Sequence, residues 1–386
     1  MPDALAHLRA AFPVAELWVY VNHAAVAPVA LPVEQAVAGF LAQARRDGSA
    51  GFAGWLARRE EARRSAAALL GARPEEVSFT TSTSQGLITV AEGLSLQPGD
   101  EIVLLEDDFP SNQIPWWRQQ RRGARLVPVP RDAAGRVTAD AVLARVGPRT
   151  RVVAVSWVAY DNGCRLDLRA LGAGLAARNA QLAAGQPRAL LCVDAIQGLG
   201  AFALDARACG IDFLSADSHK WLLGLEGVGL FFCRAERLAE LDSPLTSWWS
   251  MAEPFRPWRP GAALQPDARR FEYACLPTAA LFGVEAALRM LLEAGLPRIE
   301  RQVLELTDRL AAGLVERGWT LLSPRERPDE RSGIVSARPP SGGAREAVER
   351  LLAARVQAVE RGGGVRFSPH AWNTAGEMDR VLEALS

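Results

Sequence analysis

Seven short runs of mostly apolar residues, set apart by stretches of helical spacing, constrain this chain more than any other feature. They lie at residues 76–80, 100–105, 125–129, 151–156, 189–193, 211–215 and 229–233. Helix-like periodicity occupies 33–45, 54–70, 87–93 and 138–145. Strands that are apolar throughout and alternate with helices fit a parallel sheet covered on both faces, hence an α/β fold. In such sheets ligands bind beyond the carboxyl ends of the strands. Four stretches fall there: 80–84, Phe109, 156–162 and Asp194.

Beyond residue 234 the pattern changes. Residues 247–265 are rich in Trp, Pro and Arg without periodicity, as in a linker or an interface segment. A largely helical stretch, 269–318, is followed by short strands near 319–322, 333–336 and 364–368 and by helices over 343–353 and 375–385. This is an α+β tail. Formal net charge is +0, which gives no electrostatic case for nucleic acid or an anionic membrane. Five cysteines (Cys164, Cys192, Cys209, Cys233 and Cys275) show no C-x-x-C spacing, and the four histidines show no zinc-ligand spacing. Neither disulfides nor a metal site is expected. The start of the chain lacks a signal-peptide pattern, and no run approaches the ~18 apolar residues of a membrane span. A cytoplasmic protein is expected.

Lys220 is the only lysine among 44 Lys and Arg residues. Arginine supplies charge and hydrogen bonds, but its guanidinium stays protonated; a deprotonated lysine can form an imine. A chance survivor on the surface is the plain alternative, and the flanks argue against it. The lysine follows the apolar run 211–215. It precedes a loop marked by Gly224, Gly227 and Gly229, where the next apolar run begins. An amine between two buried strands is a candidate for chemistry.

Other candidates sit at neighbouring strand ends. Ser82, Thr83 and Ser84 lie between a strand and a helix. The first N–H groups of a helix lack partners, and its dipole favours an anion, so this turn can cup a phosphate; simple N-capping is the alternative. Asp194 ends a strand that should be buried, and a buried acid needs a cation or donor. It could equally cap the next helix. Gln197 lies about one turn further along. Residues 22–28 form a small-residue turn with Asn22 and His23 as its polar members. It is either a connector or a place where backbone approaches a ligand.

A lysine for an imine, an anion cup, an aromatic after a strand (Phe109) and a buried aspartate together fit pyridoxal 5'-phosphate. Asp194 would keep the ring nitrogen protonated, making the ring an electron sink. Ser82, Thr83 and Ser84 would take the phosphate, and Phe109 would stack on the ring. Free lysine has a pKa near ~10.4, so such a site must favour the neutral amine.

With these parts in view, nearly the whole chain resembles the class V aminotransferase family of fold type I pyridoxal-phosphate enzymes. That family includes cysteine desulfurases, kynureninases and isopenicillin N epimerase-like proteins. The stretch from Val193 to Gln197 is similar to its V-D-A-x-Q, and that from Ala216 to Gly224 to its A-D-G-H-K-W-L-x-G. Residues 79–84 resemble its phosphate turn. Residues 109–112 resemble the F-P-S-[DN] of the kynureninase and epimerase branches. Residues 366–370, with Asn373 and Thr374, resemble the motif whose arginine grips the substrate carboxylate, a role suited to a bidentate donor. The resemblance implies Lys220 at the imine position and His219 beside the phosphate. It implies Arg366 at the substrate carboxylate, with Asn22 and His23 as further substrate contacts. It implies a large cofactor domain, residues 16–262, with a mostly parallel seven-stranded sheet covered by helices. A small C-terminal α+β domain, residues 263–386, would follow, with segment 1–15 packed on it. A homodimer is also implied, with Trp248 and Trp249 as part of its surface.

There are departures. Cys275 stands where the family's R-F-E-x-G-T-P carries threonine, the residue that reaches the partner's phosphate. Trp157 stands where many relatives carry histidine, and Tyr160 where desulfurases carry asparagine. No cysteine follows Cys275, which argues against a persulfide-forming desulfurase. The expected function is chemistry at the α-carbon of an amino acid. Transamination comes first; a lyase without a catalytic cysteine (kynureninase-like or C–S) and an epimerase are alternatives. A catalytically silent binding module on the same fold is the rival from another class.

Overall fold

The computed structural model describes residues 4–183, 186–275 and 277–385. Residues 1–3 of the segment 1–15 and Leu276 of the 270–277 motif lie outside the described residues. The strands are β1 (Val19–Tyr20), β2 (Val77–Thr80), β3 (Glu101–Leu105), β4 (Arg125–Val129), β5 (Thr150–Ser156), β6 (Leu190–Asp194) and β7 (Phe213–Asp217), followed by β8 (Gly229–Cys233), β9 (Thr320–Leu321), β10 (Val335–Arg338), β11 (Val356–Gln357), β12 (Val359–Arg361) and β13 (Gly364–Phe367).

Seven of these form one sheet in the order β2-β8-β7-β6-β5-β3-β4. Only β8 runs against its neighbours; the other pairs are parallel. Period-two alternation divides the strands between two cores. Val103, Val153, Val155, Leu191 and Val193 face one core, and Ile102, Val152, Ala154, Leu190 and Cys192 face the other. Strands β6, β7 and β8 are buried at every residue, which is why their sequences lack polar alternation.

Helix Thr83–Gly93 lies against β7. Gly86 makes that possible, because a Cβ there would meet Ser215 Oγ at 2.3 Å. Ser82 caps the helix, its hydroxyl accepting from Gln85 N at 3.2 Å. On the opposite face, helix Thr278–Ala294 packs against helices Leu31–Asp47 and Phe52–Leu70. The segment leading into it is pinned by Glu272, which is fully buried. Its Oε1 accepts from Arg63 Nη1 at 2.9 Å and from Phe79 N of β2 at 2.8 Å, and its Oε2 accepts from Arg59.

The C-terminal sheet is antiparallel, ordered β12-β13-β10-β9. It covers a third core that includes Leu306, Leu310, Trp319, Val335, Phe367 and Met378. Val19 and Val21 belong to this core, because β1 pairs in parallel with β11. Arg9, in helix Ala4–Ala10, reaches Glu377 at 3.0 Å.

Candidate active site

The carboxyl ends of the parallel strands open on a cavity of about 200 Å³. Its lining includes Ser82, Thr83, Ser84, Phe109, Asp194, Gln197, His219 and Lys220. Ser111, Ser156, Val158, Tyr160, Ile196 and Asp217 complete it. They enter from five strand ends: Ser82 to Ser84 after β2, Phe109 after β3, Tyr160 after β5, Asp194 at the end of β6 and Lys220 after β7.

Lys220 sits in a tight loop. Leu223 N donates to Lys220 O at 3.0 Å, Gly224 N to Ser218 O at 2.8 Å, and Ser218 Oγ to Leu225 O at 2.6 Å. Leu223 takes a left-handed φ of 59°, a conformation costing a branched residue roughly 1–2 kcal/mol. The Lys220 amine lies 5.9 Å from the centre of the Phe109 ring. Burial lowers its pKa to about 8, with Asp194 pulling it back up and Arg366 pushing it down. A depressed value means the amine loses its proton more readily, and half of it is neutral near pH 8. Capture of Lys220 by pyridoxal phosphate, trapped with borohydride, should therefore rise with pH to half its maximum near that value and then level off. A midpoint near the ordinary lysine value of about 10.4 would contradict this environment.

Asp194 is 3 % exposed and pairs in register with Ser156 of β5. Its Oδ1 accepts from Ile196 N at 3.0 Å, so it caps a turn, where the alternative reading had it cap a helix. Burial raises its pKa, and the neighbouring Asp108 raises it further. Asp108 was missed by sequence reasoning. It accepts four hydrogen bonds, from Ser156 Oγ and N, Phe109 N and Asn112 Nδ2. The available signal was an acid beside Phe109, three residues past the end of β3.

The other candidates divide. Gln197 lines the cavity, but its amide is spent on protein partners: Nε2 donates to Ala24 O and Oε1 accepts from Trp221 Nε1, both at 3.0 Å. Thr83 Oγ1 likewise accepts from Asp217 N at 2.8 Å. His219 Nδ1 is buried without a hydrogen bond, 3.3 Å from Asp217 Oδ2 but lacking the geometry. Arg366 is 2 % exposed and stands behind the cavity wall, next to Tyr160; its Nη1 donates to Tyr160 O at 2.6 Å, and its Nε has no partner among the described residues. Asn22 Oδ1 is also buried and unpaired.

His23 is a correction. The sequence placed it at the substrate, yet the structure buries it completely and satisfies both ring nitrogens. Nδ1 lies 3.0 Å from Ser368 O and must donate, and Nε2 accepts from Trp372 Nε1 at 3.1 Å. Burial, then His370, holds its pKa well below the usual range. It is a neutral packing histidine.

The residues present suit pyridoxal phosphate on the structure's own evidence. His219 Nδ1 is an orphaned donor or acceptor at the cavity wall. The N–H groups of Thr83 and Ser84 begin a helix and have no acceptor within it. Together with the parallel sheet and the lysine after β7, this defines a fold type I pyridoxal-phosphate enzyme. The chain belongs to the aminotransferase class-V family, whose profile matches residues 19–379. It is 27% identical over 392 residues to a probable cysteine desulfurase of Methanothermobacter thermautotrophicus, covering 95% of this chain and 94% of that one. It is 31% identical over 346 residues to the isopenicillin N epimerase of Streptomyces clavuligerus, covering 84% and 83%. The solved cysteine desulfurase of Thermococcus onnurineus superposes with a TM-score of 0.88 at 25% identity, covering 98% and 96%. The protein is thus a pyridoxal-phosphate-dependent enzyme acting on amino acids.

Proposed function

We propose that the chain takes a proton from the α-carbon of an amino acid with Lys220 and completes a transamination without any protein thiol. The convergence of Lys220, Asp194 and the 82–84 turn on one cavity carries this reading. Asp194 would hold the ring nitrogen, and Phe109 would cover the ring face. The 82–84 turn and His219 would hold the phosphate. Pyridoxal phosphate, when bound, supplies a conjugated sink for the electron pair left at the α-carbon. Lys220 Nζ, whose hold on a proton burial weakens, accepts that proton in its neutral form and can return it. Arg366 orients the substrate through its carboxylate, its Nε being free for the purpose. Asn22 Oδ1, buried without a partner among the described residues, would accept from a substrate donor.

Cys164, Cys192, Cys209 and Cys233 are buried, Cys275 is exposed, and none lines the cavity. Elimination of a β-substituent is the second reading, favoured by the relatives named cysteine desulfurases; here it would run without a protein persulfide. Reconstituted enzyme, offered the common L-amino acids with a 2-oxo acid acceptor, separates the outcomes. We expect a new oxo acid that forms only when the acceptor is present. Ammonia and an oxo acid without acceptor would mean elimination, and solvent deuterium at Cα without product would mean epimerisation. An absorption spectrum unmoved by every amino acid would sink the reading.

We also propose a homodimer. A second cavity, about 820 Å³, is bounded by residues 246–263 alone, with Phe255 and Trp258 well exposed. Exposed Ile88, Ile114 and Trp117 offer further apolar surface for a second copy. The division at 262/263 is supported by the separate C-terminal core, although helix Thr278–Ala294 packs on the large body. The packing of segment 1–15 on the smaller part is supported by the Arg9–Glu377 pair. A cytoplasmic setting is supported by the unpaired cysteines; no described helix is long and apolar enough to cross a membrane.

A further inference from the structure

We propose that Arg361 is a specificity residue that selects amino-acid substrates whose side chain ends in a negative charge, a carboxylate or a sulfinate. The inference rests on the reading that the Lys220 cavity processes amino acids, and it adds the class of side chain. It starts from the hairpin of β12 and β13. Along β13, Val365 and Phe367 point into the C-terminal core. Arg366, between them, therefore points to the other face, toward Tyr160. Cross-strand partners share a face. Val359 pairs with Arg366, and Arg361 pairs with Gly364. Arg361 thus stands on the same face as Arg366, diagonally across the hairpin at about 7–8 Å between backbones.

The hairpin tip lies at the cavity rim. Gly362 and Gly363 turn it with φ of 60° and 77°. A Cβ on Gly362 would sit 3.4 Å from Asp161 Cβ, and Asp161 adjoins the cavity residue Tyr160. The other arginine at this rim is neutralised: Arg131 binds both oxygens of Asp161, at 2.7 and 2.9 Å. Among the described residues the Arg361 side chain has no ion pair or hydrogen-bond partner, and it is exposed. Arg366 has a backbone carbonyl and no carboxylate. Arg361 at the rim and Arg366 behind Tyr160, the latter sharing the Asp161 charge with Arg131, are therefore two guanidiniums on this side of the cavity with no carboxylate in contact among the described residues. The charge of Arg361 is felt by both Lys220 and Arg366, lowering the proton affinity of each after burial has done so. An α-carboxylate is satisfied by one planar guanidinium. The second is left for a second anion, and a neutral side chain would leave it unused.

The test compares wild type with Arg361→Ala. Dissociation constants are read from the change in cofactor absorbance on adding L-aspartate, L-glutamate or L-cysteine sulfinate, against L-asparagine, L-glutamine and L-alanine. Wild type should favour the anionic members over their neutral isosteres, and Arg361→Ala should cut that preference by about 10–100-fold, the worth of a charge-assisted hydrogen bond. Arg361→Lys should recover part of it. An unchanged cofactor spectrum in the variants shows that the site itself is intact. Wild type favouring neutral amino acids, or a preference unchanged in Arg361→Ala, overturns the proposal. Absence of a cofactor band from wild type would instead defeat the underlying reading.

Discussion

Lys220→Ala should yield a folded protein whose absorbance near about 400 nm is lost on dialysis and whose turnover falls by at least about 10³-fold. The side chain is half-buried in a loop held by backbone bonds from Leu223 and Gly224 and by the Ser218 hydroxyl. Truncation therefore removes the amine and leaves the loop its supports. The chain offers no other lysine to stand in, and no arginine can, because a guanidinium does not give up its proton near neutrality. The same scarcity makes the measurement clean. Borohydride treatment of reconstituted wild type should add one cofactor mass, mapped to the peptide carrying Lys220, and none at that place in the variant. A wild type that takes up no cofactor, or a variant that keeps both band and turnover, would end the account.

Glu272→Ala should cost about 3–5 kcal/mol of stability, the largest effect expected away from the cavity. Burial alone would raise this carboxyl's pKa, but Arg63 and then Arg59 bring it below the usual range. With the folded value depressed, the contribution is present at neutral pH and fades as pH falls through the carboxylate range. Removing Glu272 strands the Arg59 guanidinium, 6 % exposed, and leaves that of Arg63, 2 % exposed, with only the half-exposed Glu60 as a carboxylate partner. It also leaves Phe79 N of β2 without its acceptor. Replacing all three charges with apolar residues, Arg59→Met, Arg63→Met and Glu272→Leu together, should recover most of the loss, since the penalty comes from unpaired charge and not from lost attraction. Denaturant unfolding of the three proteins, wild type, single and triple variant, reads this directly. A single variant within about 1 kcal/mol of wild type would show that Glu272 pins nothing.

The central sheet was legible because β6, β7 and β8 are largely apolar on both faces, and β6 and β7 end at aspartates. The direction of β8 was not, since an antiparallel strand buried on both sides has the same composition as a parallel one. Helix Leu168–Asn179 escaped notice because its Ala, Gly and Arg residues carry no strong apolar stripe. At the cavity, the meeting of Ser82, Phe109, Asp194 and Lys220 could be anticipated, because each follows or ends a strand and such ends lie together in a parallel sheet. Asp108 was hidden in Asp107-Asp108, which looks like a surface turn until Ser156 and Asn112 close around it. His23 was misjudged for the opposite reason. Its own turn looks open, and the groups that occupy its ring, Ser368 and Trp372, come from the far end of the chain. Arg361 had no local signature at all; its place emerges only from the pairing of β12 with β13.

The pairing of β1 with β11 also bears on how the protein is made. His23 and Ser368, joined through the same junction, are 345 residues apart. A ribosome adding about 5–20 residues per second releases Val19 and Val21 tens of seconds before their partners exist. During that wait two apolar side chains and an unsatisfied strand edge stay open to water or to a chaperone. The junction beside the arm that bears Arg366 therefore closes long after β1 is made.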